Sequence, residues 1–285
     1  MPDAGGGPGG PGGSAPDAGG GPGGSVPGNR VWGVTIDNPF NLDPTLDSLA
    51  RLPRHMTARV VFDENQAASS YVSLVPRIHA VADVMGEILD SQFVGRVTPA
   101  QYVARTREYL DALGDNVDIW EVGNEINGEW LGTTPDVVAK MKGAYDLVKA
   151  RGKRTALTLY YNHDCFSAAD HEMFAWAGAN VPADMKAGLD WVLVSYYEDD
   201  CNGYQPDWQA EFNRLAAMFP TAQLGIGECG TVVQARKAAY LTRYYSMRIE
   251  NPRYIGGYFW WYFSEDIVPR TSPLWATLDA LLRSF

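Results

Sequence analysis

The chain has 285 residues, a formal charge of -11 and a pI near 4.8. That balance excludes a nucleic-acid or anionic-membrane surface, because phosphate contacts need clustered Lys and Arg, whereas a neutral polymer or a cationic ligand is compatible with it. No apolar run reaches the roughly 18 residues of a membrane-spanning helix, and no basic-then-apolar signal opens the chain.

Residues 1 to 29 are almost entirely Gly, Pro, Ala, Ser and Asp, with a Pro-Asp-Ala-Gly-Gly-Gly-Pro-Gly-Gly unit that recurs. Such a segment buries too little apolar surface to offset its ordering entropy, so a disordered linker is expected there. Leaders of this kind tether a domain to a secretion signal, a lipid anchor or another module, which makes the expected setting secreted or cell-surface. About 255 residues follow, the usual size of one (β/α)8 barrel. Residues 30–285 are therefore read as a single domain, expected to act as a monomer.

Strand-like runs follow in order: Val31 to Asp37, Thr57 to Asp63, Asp83 to Leu89, Val117 to Asn124, Arg154 to Tyr161, Trp191 to Tyr197, Gln223 to Glu228 and Tyr254 to Tyr262. Helix-like segments lie between them. Residues 99 to 113, 135 to 151, 232 to 249 and 273 to 284 have apolar positions at helical spacing, and 67 to 80 is interrupted by Pro76. Thr98-Pro99 and Thr134-Pro135 read as an N-cap followed by Pro at the first helical position. Gly114 and Gly152 sit where a C-terminal Gly cap belongs.

Strands apolar on both faces and separated by helices imply a parallel sheet covered by helices, and eight such units favour closure into a barrel. The competing doubly wound fold announces itself by a Gly-rich phosphate turn after its first strand. Here the first strand leads into Asn38-Pro39-Phe40-Asn41 instead. In a barrel the chemistry sits at the C-terminal strand tips. These tips supply Asp37, Asp63, Glu64, Glu87, Asp90, Asn124, Glu125, Tyr160 to His163, Tyr196 to Asp199, Glu228 and Trp260 to Phe263. A rim of carboxylates, amides and aromatics suits a sugar, since aromatic faces stack on C–H faces while polar groups bind hydroxyls.

Cys165 and Cys201 follow consecutive strands, so the fold brings them near each other either as a disulfide or as two free thiols. Cys229 reads as a small buried residue. Of the four histidines only His163 stands at a strand tip, which leaves no multi-histidine metal site, and no cofactor is expected.

Two apolar segments remote in sequence each deliver a carboxylate, in Trp120-Glu121-Val122-Gly123-Asn124-Glu125 and in Gly225-Ile226-Gly227-Glu228. A pair of carboxyl groups flanking the scissile oxygen is what glycosidic cleavage needs. These motifs resemble those of the clan A retaining glycoside hydrolases, barrels with an Asn-Glu pair ending strand four and a catalytic Glu ending strand seven, and the resemblance spans residues 31 to 285. It implies Glu125 as general acid/base, Glu228 as nucleophile and Asn124 as the partner of the sugar 2-hydroxyl. Arg59 looks like the strand-two arginine beside the nucleophile. Tyr197, with Tyr196 as its substitute, resembles the strand-six tyrosine that hydrogen-bonds it. Gly257-Tyr258-Phe259-Trp260-Trp261 is similar to the run ending in a platform tryptophan, with Trp261 the first choice and Trp260 the second. Asp37, His163 and Trp130 are further candidates for substrate contact, Trp130 on the leaving-group side or in simple packing. The chain departs from the pattern at Ser195, where subfamilies with a strand-six His-x-Tyr carry the histidine, so no subfamily follows. The resemblance implies a retaining cut of a β-linked poly- or oligosaccharide, with internal cleavage favoured by the short loops. A barrel that keeps the glutamates but only binds or anchors is the alternative.

Overall fold

Along each apolar run the side chains alternate between two buried environments, so neither face of the sheet meets water, and the sheet closes on itself. A computed structural model describes residues 30–285; the reading of residues 1–29 as a disordered leader lies outside the described residues. Eight parallel strands, Val31–Ile36 (β1), Met56–Val61 (β2), Ala82–Glu87 (β3), Ile119–Glu121 (β4), Arg154–Tyr160 (β5), Trp191–Tyr196 (β6), Gln223–Cys229 (β7) and Tyr254–Trp260 (β8), pair in sequence order, and β8 pairs back to β1. The expected (β/α)8 barrel is the fold observed.

The helices are Leu42–Ala50 (α1), Val75–His79 (α2), Ser91–Val94 (α3), Pro99–Leu113 (α4), Thr134–Ala150 (α5), Met173–Asn180 (α6), Ala183–Gly188 (α7), Trp208–Met218 (α8), Lys237–Tyr245 (α9), Phe263–Asp266 (α10) and Pro273–Arg283 (α11). Thr98 caps α4 in a capping box with Gln101, as its sequence implied. The cap of α5 is Thr133, one residue before the expected Thr134, which forms the first turn instead. Pro76 does not break a long helix; it sits in the first turn of the short α2, where its missing N–H costs nothing. Helix α9 is shorter than the expected 232 to 249, because Gln234–Arg236 turns as a 3-10 segment. β4 is likewise shorter than read, because the chain after Glu121 leaves the ladder.

The lumen is layered. Met85, Ile119, Ala156, Leu193, Ile255 and Phe259 form an apolar plug inside the barrel. One inward layer further toward the C-terminal ends, two residues on in β3, β4 and β5, the inward side chains become Arg59, Glu87, Glu121 and Thr158, all at most 1% exposed. The intervening residues, among them Val60, Val84, Trp120, Leu157, Val194 and Ile226, belong to the outer core against the helices. An apolar floor thus supports a charged layer, and the site is built on that layer.

Candidate active site

Arg59 points into the lumen from β2 and is fully buried. Its Nε and Nη2 donate to the two oxygens of Glu121 at 2.7 and 3.1 Å, and its Nη1 donates to Glu228 Oε2 at 2.7 Å. Glu87 Oε2 lies 3.2 Å from Nη2. Thr158 from β5 donates to Glu121 as well. Glu121 and Glu87 hold the guanidinium from one side and leave one N–H pair for Glu228. A cation without partners is prohibitively costly at such burial; with these carboxylates it is a fixed charge beneath Glu228.

Glu228 reaches this position through a local irregularity in β7. The β6–β7 register shifts between Val194 and Ser195, so Ser195 pairs with Glu228 where regular pairing would have brought Gly227. A β-carbon at Gly227 would lie 2.6 Å from that of Leu193, so only glycine allows the two strands this approach. The bulge turns Glu228 inward. Tyr197, just past β6, donates its hydroxyl to Glu228 Oε1 at 2.7 Å. Tyr196 faces the outer core and donates to the Tyr204 carbonyl, so the strand alternation selects Tyr197.

Glu125 stands beyond the short β4. Its φ of 49° lies in the left-handed region, a strain borne because the flanking backbone is tied to β5 by Thr158 N–H to the Gly123 carbonyl at 3.0 Å and Ile126 N–H to the Thr158 carbonyl at 3.3 Å. Both carboxyl oxygens are engaged: Ser195 Oγ donates to Oε1 at 2.6 Å and Ser91 Oγ to Oε2 at 2.7 Å. Trp130, 44% exposed on the following loop, donates its indole N–H to Ser91 Oγ at 3.2 Å and packs edge-on against Tyr160. Asn124 donates to Glu87 Oε1 at 3.0 Å, and its buried Oδ1 has no hydrogen-bond partner.

Burial raises the pKa of every carboxyl in this layer that shifts, and the donors decide how the charge distributes. Burial lifts Glu87 well above the usual carboxylate range against the pull of Arg59, with Glu121 adding to the rise. Burial raises Glu125, opposed by the hydrogen bonds from Ser195 and Ser91. Burial also pushes Glu228 up to about 8; Arg59 opposes it, the charge of Glu125 adds to it, and Tyr197 opposes it. A pKa of 8 taken alone would leave Glu228 protonated near neutrality. A proton on Glu125 removes one of the charges that raise Glu228, and Glu228 alone has a guanidinium donor. One shared proton therefore belongs on Glu125.

Of the residues singled out in the sequence, Arg59, Asn124, Glu125, Tyr197 and Glu228 meet in this layer. Trp261 faces it too, its ring 5.6 Å from the Arg59 guanidinium carbon. Trp260 does not: it is fully buried among the outer core, donating to Asp266 Oδ2 at 3.0 Å, because neighbouring residues of a strand face opposite ways. Asp37 accepts from Ser264 at 2.7 Å, and His163 stacks on Tyr204 with ring centres 4.0 Å apart. Among the described residues no hydrogen bond joins either of them to the two glutamates. Cys165 and Cys201 form a disulfide that ties the loops after β5 and β6, and Cys229 is buried with its thiol against the Tyr258 carbonyl. Sequence reasoning did not single out Glu121, Ser91 or a role for Ser195. Glu121 carried a signal in being a charged residue at the inward parity of an otherwise apolar strand. The serines carried none, because a hydroxyl's partner depends on register.

Two surface hollows, of about 310 and 380 Å³, are lined by Asp111, Arg151 and Lys153 and by Arg154, Asp190 and Gln223, at the barrel end opposite this layer. Among the described residues no group of three or more His, Cys, Asp or Glu is arranged to hold a metal ion, and no helix is long and apolar enough to cross a membrane.

No protein-family model matches the chain, and no curated protein matches it. Solved structures do. Saccharomyces cerevisiae Gas2p, in complex with laminaritriose and laminaritetraose, is 14% identical with a TM-score of 0.55 over 90% of this chain. The chain spans 64% of that protein. The virulence factor SghA of Agrobacterium tumefaciens is 13% identical, with a TM-score of 0.56 over 92% of this chain and 98% of its own. A Thermomonospora fusca β-mannanase in complex with mannotriose is 17% identical, with a TM-score of 0.55 over 82% of this chain and 78% of its own. At these identities the likeness is one of fold, and it is the fold that the clan A resemblance implied.

Proposed function

We propose that the protein is a glycoside hydrolase that cleaves β-glycosidic bonds of a poly- or oligosaccharide by retaining double displacement. The observation that carries the reading is the unequal support of two glutamates in one lumen: a guanidinium and a phenol on Glu228, two serine hydroxyls on Glu125. Glu228, favoured as the anion, attacks the anomeric carbon. Glu125 transfers its proton to the departing oxygen, and the resulting carboxylate then takes a proton from the water that releases the sugar from Glu228. Asn124, pinned by Glu87, is the partner for the sugar 2-hydroxyl, and Trp261 offers a stacking face.

The solved structures that share the fold support the reading, because two of them are complexes with oligosaccharides. The disulfide is compatible with a secreted or surface-tethered setting. Internal cleavage follows from the short loops around the rim. The test is a panel of β-glucans, mannans, xylans and galactans incubated with wild type and Glu228→Ala, with the products sized and the first-formed anomer read by NMR. Turnover lost in the variant, with retained configuration, is the expected outcome. Inversion would overturn the double displacement, since it needs carboxyls about 6.5 to 9.5 Å apart with water between them. Binding without any turnover in wild type would make the barrel a carbohydrate-binding module.

A further inference from the structure

The hydroxyl of Ser91 lies between two fixed groups. Trp130 Nε1 is 3.2 Å from Ser91 Oγ on one side, and Glu125 Oε2 is 2.7 Å from it on the other. An indole N–H can only donate, so Ser91 Oγ must accept from Trp130 and direct its own proton to Glu125 Oε2. Ser91 is 2% exposed, and among the described residues Glu125 Oε2 is the one acceptor within hydrogen-bond range of its hydroxyl. Ser195, fully buried on the other side of the carboxyl, donates to Glu125 Oε1 at 2.6 Å, and among the described residues no second group donates to its hydroxyl as Trp130 does to that of Ser91.

We propose that Trp130, acting through Ser91, holds the Ser91 hydroxyl as a donor to Glu125 Oε2 and so positions the acid/base carboxyl and favours its anion. The inference rests on Glu125 being the general acid/base. During the first step a carboxyl O–H bond of Glu125 breaks as the proton passes to the glycosidic oxygen, while the C–O bond to the leaving group opens and Glu228 bonds the anomeric carbon. The Glu125 carboxylate left behind keeps its Ser91 hydrogen bond and takes the proton of the incoming water in the second step, as the bond to Glu228 breaks. Trp130 is on this account a positioning residue whose N–H, and not only its ring, matters. The charges that face Glu125 come from other elements: Arg59 from β2, Asp90 after β3, Tyr160 on β5, Tyr197 after β6 and Glu228 on β7. None of them bonds to Trp130, so removing the indole N–H isolates the relay.

Trp130→Phe keeps an aromatic ring and releases Ser91 to accept from a protonated Oε2, while Ser91→Ala removes the donor outright. In both variants the neutral form of Glu125 gains relative to the anion. The expected result is an upward move of about 0.7 pH unit in the Glu125 titration, read by carboxyl 13C NMR, and an equal move in the basic limb of kcat/KM. Loss of a stacking ring alone would raise KM and leave both readouts in place. An unmoved titration in both variants overturns the proposal. Absence of turnover in wild type would bring down the hydrolase reading instead, and the NMR titration would still judge the relay.

Discussion

Arg59 and Glu228 meet at 2.7 Å inside the lumen although their strands, β2 and β7, are not neighbours in the barrel. The arginine cannot turn away, because Glu121 holds its Nε and Nη2 at 2.7 and 3.1 Å. Glu228 Oε2 is therefore fixed relative to β2, while Oε1 is fixed by Tyr197 at 2.7 Å. On the proposed reading, a carboxylate gripped at both oxygens by groups on separate strands would have its attack direction set before substrate arrives, which is the preorganisation that positioning catalysis requires.

Tyr197→Phe removes one of those grips and little else. A hydrogen bond to a charged group is worth roughly 1.5–3 kcal/mol, so kcat/KM is expected to fall about 10- to 100-fold. Glu228 loses a donor that favours its anion, so the acidic limb of the pH profile moves to higher pH. Steady-state kinetics across pH and a thermal melt check both parts. A profile that drops in height with its acidic limb unmoved would remove Tyr197 from the ionisation of Glu228.

Glu228 also ties stability to pH. Its pKa is pushed up to about 8 in the folded protein from an ordinary 4.5, first by burial and also by the charge of Glu125, so the rise belongs to the state in which both carboxyls are ionised. A carboxyl raised in this way contributes stability that is fully present below about 4.5 and is lost as pH rises through 8. Glu228→Gln cannot ionise and escapes that loss, and Arg59 still has Glu121 and Glu87 as partners. The variant should melt higher than wild type at pH 8 by at least about 2 °C, with a smaller difference at pH 5. Calorimetry at the two values decides it, and a difference that shrinks as pH rises would reverse the sign assigned to Glu228.

The barrel was legible because alternation and helix punctuation are local signals that survive without tertiary context. The convergence of Glu125, Glu228 and Asn124 was legible because strand ends in a barrel meet on one face. Trp260 was misplaced by a single residue of register, the smallest slip that moves a side chain from lumen to outer core. Ser91 and Glu121 escaped for different reasons. The hydrogen bonds of a serine depend on partners that other loops deliver to it, here Glu125 and Trp130 for Ser91. Glu121 was taken as part of a strand motif, although its inward parity matched that of Arg59 and predicted their contact.

The disulfide joins Cys165 and Cys201 across a sequence separation of 36. Closing a loop of that length removes chain entropy from the unfolded state, a stabilisation of roughly 3–4 kcal/mol if strain is small. For a domain of this size that corresponds to a melting point about 10 °C lower in the Cys165→Ser, Cys201→Ser double variant. The bridge also joins the loops that carry the stacked His163 and Tyr204, which among the described residues make no hydrogen bond to the two glutamates. Activity below the transition should therefore change less than twofold. Melting curves with and without reductant test the first expectation and initial rates test the second; a large loss of rate at low temperature would make those loops part of the substrate site.

Glu87 provides a sharper test of the charge balance. Arg59 carries one positive charge against the carboxyls of Glu87, Glu121 and Glu228, and burial pushes Glu87 well above the usual range, so a neutral Glu87 is the expected way for the buried cluster to relieve its excess. Glu87→Gln imitates that state. Its carboxamide oxygen can take the Arg59 or Asn124 donor, and its amino group can serve the Asn124 Oδ1 atom that now has no partner. Activity within about threefold of wild type is expected, with a melting point at least as high at pH 8. Glu87→Ala removes the acceptor of Asn124 and leaves a cavity, so kcat/KM should fall about tenfold or more while melting drops. If Gln were as damaging as Ala, Glu87 would have to act as an anion, and the proton assigned to it would have to reside elsewhere in the cluster.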